Sequence, residues 1–317
     1  MNCETSLASI AAAGPQIDPV FLNSPVLKDT SLDRSLGCQL VAKLETHNPV
    51  GSFKGRGTEL FAATALTPEQ SVVCASAGNF GQGLARAAGR RGHTCVVFTA
   101  KNANPVKIEA MRRFGADVKL VGSDFDAAKE AAHTYASMHG LRFVEDGSEE
   151  AIAAGAGTIG LELVATERFD AILVQLGSGA LLAGVGTVLR ELAPRTEIIA
   201  VVAANAPAMK LSLEAGHAVQ TGNANTIADG IAVRVPIPGT LELLRRCCDD
   251  IVAVDEDAMV QALRLAHRDL GLVLEPAGAA GMAAVMADPG RFRGRRIATL
   301  LSGGNLSNEL RTQLLGL

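Results

Sequence analysis

Residues 51–57 read Gly51-Ser52-Phe53-Lys54-Gly55-Arg56-Gly57 and follow an apolar, strand-like run, Gln39–Leu44, by way of a loop over residues 47–51. A lysine set between glycines directly behind a strand can serve as an amine nucleophile. Alone, the stretch reads more readily as a glycine turn carrying a solvated lysine. The rest of the chain decides between these two readings.

Downstream, short apolar runs alternate with amphipathic ones. Strands are expected at 72–75, 94–99, 117–121, 142–144, 170–176, 197–203, 251–254 and 296–301. Between them, helices are expected at 57–66, 84–91, 105–114, 124–138, 151–168, 206–215, 257–270 and 279–286. Such alternation is covered most simply by parallel sheets with helices on both faces, which makes the fold class α/β. Two glycine loops open helices within it, Ser76-Ala77-Gly78-Asn79-Phe80-Gly81-Gln82-Gly83 and Gly177-Ser178-Gly179-Ala180-Leu181. The first-turn N–H groups of a helix lack intrahelical partners and glycine lets a ligand approach them, so each loop can bind an anion, although close packing of helix on sheet would use the same residues. The second loop fails as a dinucleotide fingerprint, because the third glycine of G-x-G-x-x-G falls on Leu182, yet it works as a phosphate cup of backbone amides. The last expected strand delivers Ser302-Gly303-Gly304-Asn305 at its C-terminal end, where open α/β sheets place their ligands.

Several function classes find no residues to stand on. A net charge of −4, from 29 Lys and Arg against 33 Asp and Glu, without any block of like charge, leaves no footprint for nucleic acid or an anionic membrane. The six cysteines, Cys3, Cys38, Cys74, Cys95, Cys247 and Cys248, include no C-x-x-C pair and suggest neither zinc nor a disulfide framework, so reduced thiols in a cytoplasm are expected. The six histidines form no H-x-x-x-H, and there is no G-x-S-x-G elbow. Residues 171–189 carry no charge over nearly the length that spans a bilayer, but Gln175, Ser178 and the glycines at 177, 179, 184 and 186 divide them into a buried strand, a turn and a packed helix. The first 15 residues lack an early positive charge and read as a leading arm or short helix, not a signal peptide.

The lysine, the two glycine loops and the strand-end serine, in this order, resemble the fold-type II pyridoxal-phosphate enzymes, in particular their serine/threonine dehydratase group, over roughly residues 24–314. The resemblance implies two open parallel-sheet domains of the tryptophan synthase β-subunit-like kind. Residues 1–69 and 149–317 would form the large cofactor-binding domain and residues 70–148 a small domain inserted in it. It also implies pyridoxal 5'-phosphate as cofactor, a small amino acid as substrate, and a homodimer. By the same resemblance Lys54 forms the Schiff base with the cofactor aldehyde and Phe53 packs near the ring, while Asn79 hydrogen-bonds the ring hydroxyl. The loop of Ser76, Ala77, Gly78, Asn79 and Phe80 holds the substrate carboxylate. Gly177, Ser178, Gly179, Ala180 and Leu181 cradle the phosphate, Gly230 and Glu275 line the cofactor, and Ser302 faces the pyridine nitrogen. The implied reaction is dehydration and deamination of a β-hydroxy amino acid such as L-threonine or L-serine to a 2-oxo acid and ammonia. A neutral hydroxyl at Ser302 would leave the ring nitrogen unprotonated and the electron sink weak, which favours prompt loss of the β-substituent.

The chain departs from the family pattern at named positions. Serine racemases and bacterial dehydratases often carry S-S-G-N-H where this chain has Ser76-Ala77-Gly78-Asn79-Phe80; alanine removes the base on the second face of Cα, so racemisation is not expected. The glutamate that binds a divalent metal in the racemases is replaced near Val202 and Ala203, so no metal site of that kind is expected, and Ala180 stands for a glycine of the usual G-G-G-G-L cup. The chain stops about where the catalytic fold ends, so the regulatory domain of biosynthetic threonine dehydratases is expected to be absent. Three alternatives stay open: a β-replacement synthase of the cysteine synthase kind, which usually shows T-S-G-N-T; a dehydratase for a bulkier substrate such as phenylserine, with Phe80 widening the pocket; and a non-catalytic cofactor-binding paralogue.

Overall fold

The run Gln39–Leu44 is buried from its second residue onward, as expected of a parallel strand covered on both faces. The computed structural model describes residues 5–68 and 70–317, so Cys3 and the start of the leading arm lie outside the described residues; the arm continues as a short helix, Leu7–Ala11. The strands are β1 (Val26–Leu27), β2 (Gln39–Leu44), β3 (Val72–Ala75), β4 (Cys95–Thr99), β5 (Asp117–Leu120), β6 (Arg142–Phe143), β7 (Ala171–Gln175), β8 (Glu197–Ala203), β9 (Asp250–Val254) and β10 (Arg296–Leu301). They form a six-stranded sheet in the order β1-β2-β10-β7-β8-β9 and a four-stranded sheet in the order β5-β4-β3-β6, parallel throughout except for the short antiparallel edge β1. The fold is thus α/β with two open sheets.

Alternate residues of each strand serve different cores. In β7, Ile172 and Val174 face one apolar cluster and Ala171 and Leu173 the other, because successive side chains of a strand point to opposite faces. The first cluster runs on into the small sheet through Val72, Cys74, Cys95 and Val97, so one core joins the two sheets. The five cysteines among the described residues, Cys38, Cys74, Cys95, Cys247 and Cys248, are all free.

Three helices begin three or more residues earlier than the sequence pattern predicts; the one expected at 279–286 starts at Pro276, a residue suited to the first helical position, and the other two share one reason. The helix expected at 57–66 runs over Lys54–Thr64, and the one expected at 84–91 runs over Asn79–Gly89. Their glycines are read from sequence as turn residues but serve close approach. A Cβ on Gly55 would lie 2.0 Å from the Phe21 ring, and one on Gly57 would lie 2.4 Å from the Ile152 carbonyl oxygen. Helices Thr30–Leu36, Leu241–Cys247 and Asn308–Leu315 escape the pattern because one or two turns carry little periodicity; the first is nevertheless capped by Asp29, whose carboxylate accepts from the N–H groups of Ser31 at 2.8 Å and Leu32 at 2.9 Å.

The uncharged stretch 171–189 divides as expected, into β7, a turn and the helix Ala180–Leu192, and no helix among the described residues is long and apolar enough to cross a membrane. That helix packs on the helix Glu150–Thr166 at Gly184, where an added Cβ would lie 2.2 Å from the Ala153 carbonyl oxygen and 2.5 Å from Gly157 N. Backbone atoms on the facing helix cannot turn aside. Gly184→Ala is therefore expected to lower stability by about 1–3 kcal/mol, read as a fall in the urea unfolding midpoint at unchanged slope.

Candidate active site

β2 and β10 pair with Leu44 opposite Leu301, so the segments leaving their C-terminal ends are neighbours. They are stitched together. Phe53 N–H donates to the Ser302 carbonyl at 3.0 Å, Gly304 N–H donates to the Gly51 carbonyl at 2.9 Å, and Ser52 bridges to Gly303. From inside the loop the Asn48 amide donates to the carbonyls of Glu45 at 2.8 Å and Ser52 at 3.1 Å. Lys54 is thereby presented in the first turn of its helix, with its amine 4.6 Å from the centre of the Phe53 ring and Ser302, 6% exposed, in the adjoining segment.

The lysine amine forms an ion pair with Asp146 Oδ2, and the same oxygen accepts from Ser178 Oγ at 2.7 Å. Ser178 belongs to the glycine cup behind β7. There Gly179 takes a left-handed φ of +108°, and no side chain caps the helix Ala180–Leu192, so its first N–H groups have neither an intrahelical partner nor a side-chain acceptor. Ala180 and Leu181 are buried behind the cup. The cup is closed from beneath, since a Cβ on Gly177 would come within 2.8 Å of the Gly230 carbonyl oxygen.

The loop after β3 supplies the facing wall. Ser76 Oγ accepts from the N–H groups of Gly78 at 3.1 Å and Gly81 at 2.8 Å, which fastens the turn, and Ala77 sits half-buried between them. Asn79, the first residue of its helix, donates through Nδ2 to Glu275 Oε1 at 2.5 Å and accepts through Oδ1 from Asn305 Nδ2 at 2.8 Å. Glu275 is buried, and its other oxygen lies 3.0 Å from Lys107 Nζ, which also reaches Asp229 Oδ2 at 2.6 Å. Burial pulls the Lys107 amine down, but Glu275 and Asp229 outweigh it and hold the group above its ordinary pKa, so it stays charged. The Lys107 stem lies on the loop; a Cβ at Gly78 would meet its Cδ at 2.4 Å.

One predicted site residue is placed otherwise. Phe80 is 5% exposed and belongs to the apolar cluster with Leu84, Val97 and Met111, so its ring packs the core and does not widen a pocket. The reason is helical: with Asn79 in the first turn, the next side chain turns toward the sheet. Conversely, Asp146, Lys107, Asp229 and Asn305 carry much of the site's bonding, and the sequence alone does not mark them as site residues. Asn305 has a local signal in Ser302-Gly303-Gly304-Asn305, Asp146 and Asp229 have only their places before Gly147 and Gly230, and Lys107 has none.

A primary amine beside an uncapped helix terminus suits a ligand that carries an aldehyde and a phosphate, with the Phe53 ring against it and a hydroxyl residue, not an acid, at the strand end. The residues present fit pyridoxal 5'-phosphate. The family described as "Pyridoxal-phosphate dependent enzyme" matches residues 17–303.

The chain belongs to this pyridoxal-phosphate dependent family. It is 36% identical over 291 residues to the biosynthetic L-threonine dehydratase of Salmonella typhimurium, a match covering 90% of this chain and 56% of that protein. The chain thus spans little more than half the length of that relative. It is 34% identical over 304 residues to the L-threonine ammonia-lyase of Thermotoga maritima, covering 95% of this chain and 76% of the other. Among solved structures, a threonine deaminase of Solanum lycopersicum, isoform 2 in its processed form, superposes with a TM-score of 0.90 at 30% identity, covering 97% of this chain and 86% of that one. Membership of the pyridoxal-phosphate family accounts for the conjunction of Lys54 and the cup, two features 123 residues apart in sequence (54 to 177) with no local reason to meet.

Proposed function

We propose that this chain catalyses β-elimination of water from a small β-hydroxy amino acid such as L-threonine or L-serine, releasing ammonia and a 2-oxo acid. The observation that carries the reading is the Lys54 amine linked through Asp146 to the Ser178 hydroxyl of an uncapped glycine cup. Bound pyridoxal phosphate supplies an electron sink for the Cα of an amino acid joined to it. The protein supplies the rest. Gly177, Ser178, Gly179, Ala180 and Leu181 hold the phosphate; Phe53, Asn79, Gly230, Glu275 and Ser302 line the ring; the Ser76 hydroxyl and the amides of Asn79 and Phe80, at the start of the helix Asn79–Gly89, receive the substrate carboxylate. Lys54 Nζ, once freed, takes the Cα proton. The Ser302 hydroxyl, without negative charge, would set no acid against the ring nitrogen, which would favour early departure of the β-hydroxyl.

The same reading takes residues 70–148 as a small unit set into a larger one of residues 1–69 and 149–317, supported by a four-stranded sheet drawn wholly from residues 72–143. It includes a cytoplasmic homodimer, which sedimentation of the purified chain checks. The deciding assay monitors 2-oxo acid and ammonia with L-threonine, L-serine and phenylserine, with and without sulfide. Oxobutyrate or pyruvate formed without need of sulfide is expected, with phenylserine turned over no better than threonine. Cysteine formed only with sulfide would replace the elimination reading by β-replacement, and cofactor uptake without turnover of any substrate would leave a binding protein.

A further inference from the structure

Asp146 enters the cleft from the segment that carries the chain from β6 toward the helix Glu150–Thr166. Its backbone is pressed on the cup. Gly147 takes a φ of +95° and would set a Cβ 2.4 Å from the Ser178 carbonyl oxygen, so glycine is required there on both counts. Asp146 Oδ2 holds both the Lys54 amine and the Ser178 hydroxyl, while Oδ1 is buried without a hydrogen-bond partner. A buried carboxylate oxygen without a donor is costly and therefore uncommon. Both groups that Asp146 engages are ones the function above assigns to the cofactor: the amine that bonds to its aldehyde, and a hydroxyl of the phosphate cup.

We propose that Asp146 aims the Lys54 amine at the cup and takes the proton the ammonium must lose before its nitrogen can react. The inference rests on the reading of Lys54 and the cup given above. Asp146 Oδ2 accepts one N–H proton of the Lys54 ammonium, and the Nζ lone pair forms a bond to the aldehyde carbon. The aldehyde oxygen leaves as water with the two remaining N–H protons, and the proton held on Asp146 returns to the nitrogen. Atoms and charge balance with no further reactant. The same carboxylate stands beside the amides that receive a phosphate, so it opposes phosphate binding while it promotes bond formation. Removing its charge thus acts in opposite directions on two measurable quantities.

The test uses the cofactor-free chain and its Asp146→Asn and Asp146→Glu variants. Stopped-flow absorbance follows uptake of pyridoxal 5'-phosphate at saturating concentration, and calorimetry follows inorganic phosphate. For Asp146→Asn, uptake is expected to slow by about 10²-fold, the usual scale of general-base assistance, while phosphate binds roughly three- to tenfold more tightly. Asp146→Glu should recover part of the rate. Uptake at the native rate would overturn the proposal, as would a joint loss of rate and phosphate affinity with a lower unfolding midpoint, which would mark Asp146 as merely structural. A native chain that takes up no cofactor would sink this inference together with the function it rests on, whereas a coloured native chain with an indifferent Asp146→Asn variant sinks this inference alone.

Discussion

Lys54→Ala is expected to abolish the absorbance band near the visible edge of the cofactor-loaded protein and to lower the release of 2-oxo acid by on the order of 10⁴-fold or more. Two separate jobs are lost with one atom. The amine is the nucleophile that joins the cofactor covalently, and after its release it is the base nearest the Cα proton, so the losses compound. No other lysine among the described residues is placed to substitute: Lys107, the other buried amine of the site, is held by Glu275 and Asp229 and stays charged. Lys54→Arg separates nucleophilicity from pairing, since a guanidinium can keep the ion pair with Asp146 but never supplies a free lone pair. It should fold like the native chain and fail as Lys54→Ala does. Colour and turnover retained in either variant would remove Lys54 from the chemistry.

The largest effect on stability is expected two residues further on. Arg56 is fully buried, and its guanidinium donates to Glu45 Oε2 from Nε at 2.9 Å and to Glu45 Oε1 from Nη2 at 2.8 Å, to Glu162 Oε1 at 2.5 Å and to Thr158 Oγ1 at 3.0 Å. Lys43 Nζ adds a contact to Glu162 Oε2 at 2.6 Å. Burial alone would lower the Arg56 pKa, but Glu45 and then Glu162 outweigh it and raise it further. Arg56→Met removes the cation paired with Glu45 and should cost about 3–5 kcal/mol, read from urea unfolding, because a buried carboxylate is left without its counter-charge. Turnover should fall too, since the first turn that aims Lys54 is anchored by this residue. The same cluster sets an acid limit. Burial raises the Glu162 pKa, yet Arg56 and Lys43 outweigh it and hold the group below its usual 4.5. A depressed carboxyl contributes stability that is present above pH 4.5 and lost as pH falls through its folded value. The native chain should therefore lose stability below about pH 4.5 more steeply than Glu162→Gln; equal slopes would show that the pair is not coupled to folding.

Much of this was legible in the sequence. The strands Gln39–Leu44, Glu197–Ala203 and Arg296–Leu301 coincide with the apolar runs, since a parallel strand buried on both faces writes an uninterrupted run. The second glycine loop behaves as read, a turn at Gly179 leading into a helix. Where the reading failed, a residue type was doing a different job. Glycine argues for a turn at 55, 57, 81 and 83, but Gly55 and Gly57 stand inside a helix because Phe21 and Ile152 leave no room for a side chain. Arg56, read as part of a glycine turn, is a buried ion-pair centre, and nothing within one turn of it announces Glu162.

The sequence by itself determined the order of the main strands and longer helices, the lysine behind its strand, the glycine cup and the family to which they belong, because backbone propensity and hydrophobic period are local properties. Only the tertiary structure decided which charges meet. Lys54 and Asp146 are 92 residues apart and Lys107 and Asp229 are 122 apart, and each pair is joined by the way two sheets face across one core. Such contacts depend on packing at a distance of tens of residues, and no pattern within a helical turn or a strand encodes them.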